Sequence, residues 1–222
     1  MKNIYSKIAI SFTIIFLILY LCAPVFAKKR INTQIGAYAG YLLFQDVSDA
    51  KGTLEGQASD TNISDVKIDQ NLVWGFNGRY YWDSSRFGST RARIDTGINT
   101  DIAFSSIEIA RNQAEIEIDM ISFSLGPIFR YQERSGKRET FNPYICPVIS
   151  LHYGQYGSSS VHGKGYGLKL GTEYLVDKNY GFILEACYSD DDLVLSSFDG
   201  FENGMSLRTK GGSIVIGTMW NF

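Results

Sequence analysis

The chain has 222 residues, with 21 Lys or Arg against 23 Asp or Glu and a formal charge of −2. So small a charge gives no electrostatic reason to expect nucleic acid as a partner, and three cysteines are too few for a disulfide scaffold. Gly and aromatic residues are plentiful, yet no stretch beyond residue 27 stays apolar for long. That pattern excludes further helices of about 20 apolar residues, but not a barrel whose lipid-facing and lumen-facing residues alternate and cancel.

At the N-terminus Lys2 and Lys7 precede an uncharged run from Ile8 to Leu21, followed by CAPVFAKKR. The basic start, the short apolar run and the small residues Val25 and Ala27 predict a secretory signal cut after Ala27. The run is too short to span a bilayer and Pro24 blocks its extension. Cys22 follows Leu21, a residue too large for a lipoprotein processing site. Residues 1–27 are therefore assigned to a signal peptide and 28–222 to one exported domain.

From there the sequence reads in period two. A strand at 32–45 is followed by 68–82, where Leu72, Trp74, Phe76, Tyr80 and Trp82 oppose Asp69, Asn71, Gly75, Asn77 and Arg79. The next, 91–105, sets Ile94, Ile98, Ile102 and Phe104 against Arg93, Asp95, Asn99 and Asp101. A strand at 116–131 changes phase: Ile116, Ile118 and Met120 share one parity, while Ile121, Phe123, Leu125 and Phe129 share the other. Either a bulge near Met120 reconciles them, or the upper part stands clear of lipid. Strands at 143–153, 165–174, 181–188 and 206–222 complete eight. The connections alternate, with 83–90, 132–142 and 177–180 short or moderate and 46–67, 105–115, 154–164 and 189–205 polar and generally longer. Such a meander has ends that face different compartments. The predicted fold is all-β: an eight-stranded antiparallel up-and-down transmembrane β-barrel.

Side-chain size decides which parity faces inward. The polar parity holds Gly75, Gly97, Gly165, Gly167, Gly171 and Gly181. Glycine weakens an exposed strand without benefit, whereas a cramped lumen beside long charged chains needs it. Closing the 68–105 hairpin on its polar turn places Arg79 opposite Asp95 and Val73 opposite Asp101. Arg79, Arg93, Asp95, Lys169, Glu173 and Glu185 then form an interior network that fills the lumen, since buried charges are costly unless paired. Cys146 and Cys187 fall on strands that are not neighbours, beyond disulfide reach.

The terminal GTMWNF, ending on Phe222, resembles the last strand of bacterial outer-membrane barrels, and the mature chain resembles the small OmpA/OmpX-type eight-stranded group. The resemblance implies residence in the outer membrane with both barrel termini periplasmic. It also implies contact with outer-membrane lipid and lipopolysaccharide, and recognition by the assembly machinery through Trp220 and Phe222. A monomer with a structural or surface-interaction role through its external loops, and an extracellular ligand of unknown identity, is the expected function. The alternatives are an outer-leaflet lipid-modifying enzyme and a narrow pore. LHYGQ loosely resembles the His-x-Ser motif of lipid A deacylases, but Gly154 stands two after His152 where the serine would be, and Ser150 lies in the wrong order. HGKGYG, 162–167, reads as a loop entering a strand. Asp190, Asp191, Asp192, Asp199 and Glu202 read as a solvated acidic loop rather than a calcium site. No catalytic, metal-binding or cofactor-binding residue is assigned, and neither hydrolase activity nor sizeable conductance is expected.

Overall fold

Residues that alternate between small or charged and apolar cannot bury both faces, and they form long two-faced strands that close on themselves. In the computed structural model, which describes residues 32–54, 61–62, 66–86, 92–111, 114–133, 140–156, 159–196 and 201–222, eight long strands make the wall. They are β1 (Asn32–Leu54), β3 (Lys67–Arg86), β4 (Ala92–Arg111), β5 (Ala114–Glu133), β6 (Thr140–Tyr156), β7 (Ser159–Leu175), β8 (Tyr180–Leu195) and β9 (Phe201–Asn221). A two-residue strand, β2 (Thr61–Asn62), pairs with Lys51 and Gly52 of β1. Neighbours follow chain order, and β1 pairs with β9 from Gln34↔Asn221 to Leu54↔Phe201, closing the ring. The Phe222 N–H donates to Thr33 O at 2.9 Å, so the last residue is tied into the seam. The leader assigned to residues 1–27 lies outside the described residues.

The end holding Gln34 and Asn221 is called lower here. There Asp177 caps the β7–β8 turn, accepting the N–H groups of Asn179 and Tyr180 at 2.7 Å each. At the upper end the strands run on into the long loops expected at 46–67, 105–115, 154–164 and 189–205, reaching Leu54, Arg111, Tyr156 and Leu195 and resuming by Ala114, Ser159 and Phe201. The 162–167 segment likewise lies within β7 rather than in a loop.

The phase change in 116–131 has a simple cause. β4 and β5 pair from Ala92↔Glu133 to Arg111↔Ala114 without a register shift, so there is no bulge at Met120. Instead the apolar residues change sides. Ile121, Phe123, Leu125 and Phe129 point outward, whereas Ile118 and Met120 point into the barrel and are buried. The upper lumen is thus packed with Ile68, Ile107, Ile109, Ile118, Met120, Val161, Leu193, Leu195, Met205 and Leu207.

This inversion marks a boundary. Below it the outer face is apolar, with Leu72, Trp74, Phe76, Ile149, Leu168, Leu170, Leu184 and Ile216 all exposed. Above it the exposed residues include Glu117, Asp119, Gln155, His162, Lys164, Asp192, Ser206 and Arg208, with Val194 an apolar exception. Along β8 the apolar belt runs from Tyr180 to Tyr188; at about 3.4 Å per residue and a tilt near 40° that spans roughly 20 Å, close to the lipid-facing band of such barrels. Aromatic rings crowd both edges, including Trp82, Tyr131, Phe141, Phe182 and Trp220 below and Trp74, Tyr153, Tyr166 and Tyr188 above. Amphipathic rings settle at head-group level, so the outer face of the lower barrel meets lipid and the upper wall stands in water.

Candidate functional site within the lumen

The lower lumen is filled by one connected set of charges. Arg130 on β5 gives Nη1 to Glu173 Oε2 on β7 at 2.8 Å and Nη2 to Asp95 Oδ2 on β4 at 2.7 Å. Arg79 on β3 donates to the other Glu173 oxygen at 3.1 Å and to Glu185 on β8 at 3.2 Å. Lys169 joins Asp101 at 3.0 Å to Glu185 at 3.3 Å, and Arg93 meets Asp95 at 3.1 Å. The Tyr144 hydroxyl accepts from Arg79 at 2.7 Å and donates to Glu185 at 2.6 Å; the Tyr81 hydroxyl donates to Glu173 at 3.0 Å. Each guanidinium also lies on a ring, Arg130 on Tyr81 at 3.8 Å and Arg79 on Tyr144 at 4.2 Å. Every cation has a carboxylate, which is the condition under which buried charge is tolerated. Gly171 provides room for this, because a Cβ at that position would collide with the Tyr144 ring.

The register differs from the one predicted. Arg79 stands opposite Asn99, not Asp95, and donates to its side chain at 3.1 Å. Val73 stands opposite Ser105, while Asp101 faces Asn77. The strands run on through Ser84–Arg86, so the hairpin turns later than its polar residues suggested, and an irregularity between Tyr81 and Asp83 shifts the pairing again. Arg79 and Asp95 belong to the same network, but they connect only through Glu173 and Arg130.

Between the charged layer and the apolar layer lies a smaller polar group. Ser122 on β5 is paired with His152 on β6, and Ser122 Oγ stands 2.8 Å from His152 Nδ1. His152 Nε2 stands 3.0 Å from Asp191 Oδ1 on β8. With its proton on Nε2 the neutral ring donates to Asp191 and accepts from the Ser122 hydroxyl, so one tautomer satisfies both contacts. Asp191 reaches His152 across β7 because Gly165 lies beneath its carboxylate; any side chain there would occupy the same space. One pair further down, Ser124 Oγ and Ser150 Oγ are 2.9 Å apart. Sequence spacing gave no histidine with a serine or acid at hand; the structure supplies both, from two other strands.

The acid run of β8 does not collect in one place. Strand alternation sends Asp191 into the lumen and leaves Asp190 on the outer face, above the apolar belt. There Asp190 accepts from Arg208 at 2.8 and 3.0 Å and from the Tyr166 hydroxyl at 2.8 Å. The Arg208 hydrogen bonds foremost hold its carboxyl down, at about 2. Asp199 and the Glu202 side chain lie outside the described residues. Among those described, no three or more His, Cys, Asp or Glu side chains gather as a metal site. Cys146 and Cys187 are free thiols on β6 and β8, the second donating to Glu185 at 3.2 Å.

Among solved structures the chain is similar to the outer membrane protein OprG from Pseudomonas aeruginosa, with a TM-score of 0.54 and 12% identity over 86% of this chain and 95% of that one. The fold is that of an outer-membrane β-barrel. Looser similarity extends to the outer membrane protease OmpT from Escherichia coli (TM-score 0.44, 9% identity, 86% and 96% covered). It extends also to Neisserial surface protein A (TM-score 0.38, 15% identity, 86% and 97% covered). Neither of these two superposes closely enough to bear on function. No family model matches the chain, and no curated protein matches it.

Proposed function

We propose that the protein is a monomeric outer-membrane barrel with a side-chain-filled lumen, whose role is structural or surface-interacting, carried by the wall that stands above the lipid. The observation behind this reading is the side-chain inversion. Paired charges below it and packed apolar residues above it interrupt any continuous path through the lumen, which leaves the outer surface as the place for contact with a macromolecular partner. On β8 the wall continues from Tyr188 to Leu195, roughly 15–20 Å of tilted strand beyond the belt. Its exterior mixes both signs, with Lys164, Asp192 and Arg208 in adjacent register, a surface suited to a polar partner or to lipopolysaccharide head groups.

The reading is tested on intact cells. Cysteine placed at Glu117 or Asp192 should react with a membrane-impermeant maleimide, whereas cysteine at Leu170 should not. Cells making the protein should adhere to matrix-protein or glycan surfaces more than cells lacking it, and Asp192→Lys with Arg208→Glu should alter that adherence. Equal adherence with and without the protein contradicts the surface role.

A further inference from the structure

We propose that Ser122 is an activated nucleophile, with His152 as its base and Asp191 positioning that base, and that this lumenal site accepts a short-chain acyl ester. The inference goes beyond the surface role and does not depend on it. Its ground is the geometry: a hydroxyl 2.8 Å from one ring nitrogen and a carboxylate 3.0 Å from the other. Nucleophile to base and base to orienting acid is the arrangement that serine acyl-transfer chemistry needs.

The surroundings fit the same chemistry. Ser122 keeps part of its surface open, while the His152 and Asp191 side chains are only 8% and 11% exposed. The base is thus held in a largely dry setting, where its contact with the acid is strong. The nearest charge below is already neutralised, since Asp101, paired with Ser124, is held by Lys169 at 3.0 Å. Of the Ser124 and Ser150 hydroxyls, one donates to the other and the second keeps its hydrogen free, a donor for charge that develops on an ester oxygen. One step above the site are Met120 beside Ser122 and Leu193 beside Asp191, both in the apolar cluster. These favour an acyl chain over a charged group.

The step balances without a further reactant except water. Ser122 Oγ bonds to the carbonyl carbon as its proton passes to His152 Nδ1. The ester C–O bond breaks and the alcohol leaves with that proton. Water then attacks the acyl-serine, gives a proton to Nδ1, and the acid departs as Ser122 recovers its hydrogen.

The test uses the full folded barrel in detergent and diisopropyl fluorophosphate, with adducts located by mass spectrometry. Attack by Ser122 forms an O–P bond, breaks the P–F bond and releases fluoride with the serine proton. The expected result is an adduct on Ser122. His152→Gln should slow its formation about a hundredfold or more. Asp191→Asn should slow it and Asp191→Glu should restore part of the rate, and Ser122→Ala should remove both the adduct and hydrolysis of p-nitrophenyl butyrate. Circular dichroism checks that each variant keeps its β content, and the wild-type result stands whether or not a variant folds. The proposal is overturned by absence of the adduct in the wild type. It is equally overturned by labelling of Ser122 no faster than that of Ser189, which faces the lumen two residues below Asp191.

Discussion

Arg130 and Glu173 form an ion pair without solvent exposure, Nη1 to Oε2 at 2.8 Å, reaching from β5 over β6 to β7. Glu173 also takes Arg79, so its loss leaves two guanidinium groups short of a partner. Glu173→Ala should cost about 3–5 kcal/mol, measured by denaturant unfolding in detergent or lipid vesicles. A double-mutant cycle should show clear coupling between Arg130 and Glu173. A loss under about 1 kcal/mol would mean that water enters the network and solvates the orphaned charges.

The boundary on the outer face predicts a depth-dependent response to charge. Leu170→Arg lies in the middle of the apolar belt on β7, where a lipid-facing arginine costs about 2–4 kcal/mol, whereas Asp192→Arg, above the belt, should cost about 0–1 kcal/mol. Folding titrations into vesicles measure both. Similar penalties at the two sites would place the membrane edge elsewhere.

Asp190 gives a pH signature. Its folded carboxyl is held at about 2, below the ordinary 3.8. The contribution is therefore complete above about pH 4 and is lost as pH falls through about 2. Unfolding curves between those values should be shallower for Asp190→Asn than for the wild type. Parallel curves would show that the Arg208 contact is solvated away.

Phe222 is 76% exposed at the end of β9, and its N–H closes the seam to Thr33. Truncating its ring with Phe222→Ala leaves that backbone bond but removes the terminal aromatic. The inserted fraction should fall while synthesis is unchanged, read by fractionation and quantitative blotting. Full insertion would separate the ring from assembly.

Parity carried the architecture because a strand with one face in lipid must repeat every two residues, and Trp74, Phe76, Ile149 and Ile216 do so. Parity does not carry register: Arg79 and Asp95 share a face in every pairing, and only the continuation through Ser84–Arg86 fixes which residue stands opposite. Parity does not single out Ser122, because it sits where 116–131 changes phase. Its partners are 30 residues away at His152 and, from His152, another 39 at Asp191. A signal was present in the chain. Ser122 follows the inward Ile118 and Met120 on β5 and Asp191 precedes the inward Leu193 and Leu195 on β8, so both mark the level at which apolar residues change faces. His152 shares the lumenal parity of β6 at that level.

The most direct measurement of a filled lumen is the current carried by the purified barrel in a planar lipid bilayer. Paired charges around Arg130 and Glu173 below, with Ile107, Ile109 and Leu193 packed above, predict only small, irregular currents, in keeping with an eight-stranded interior that side chains fill. Stable, uniform large steps of conductance would contradict the account, because they require a continuous water path through both layers.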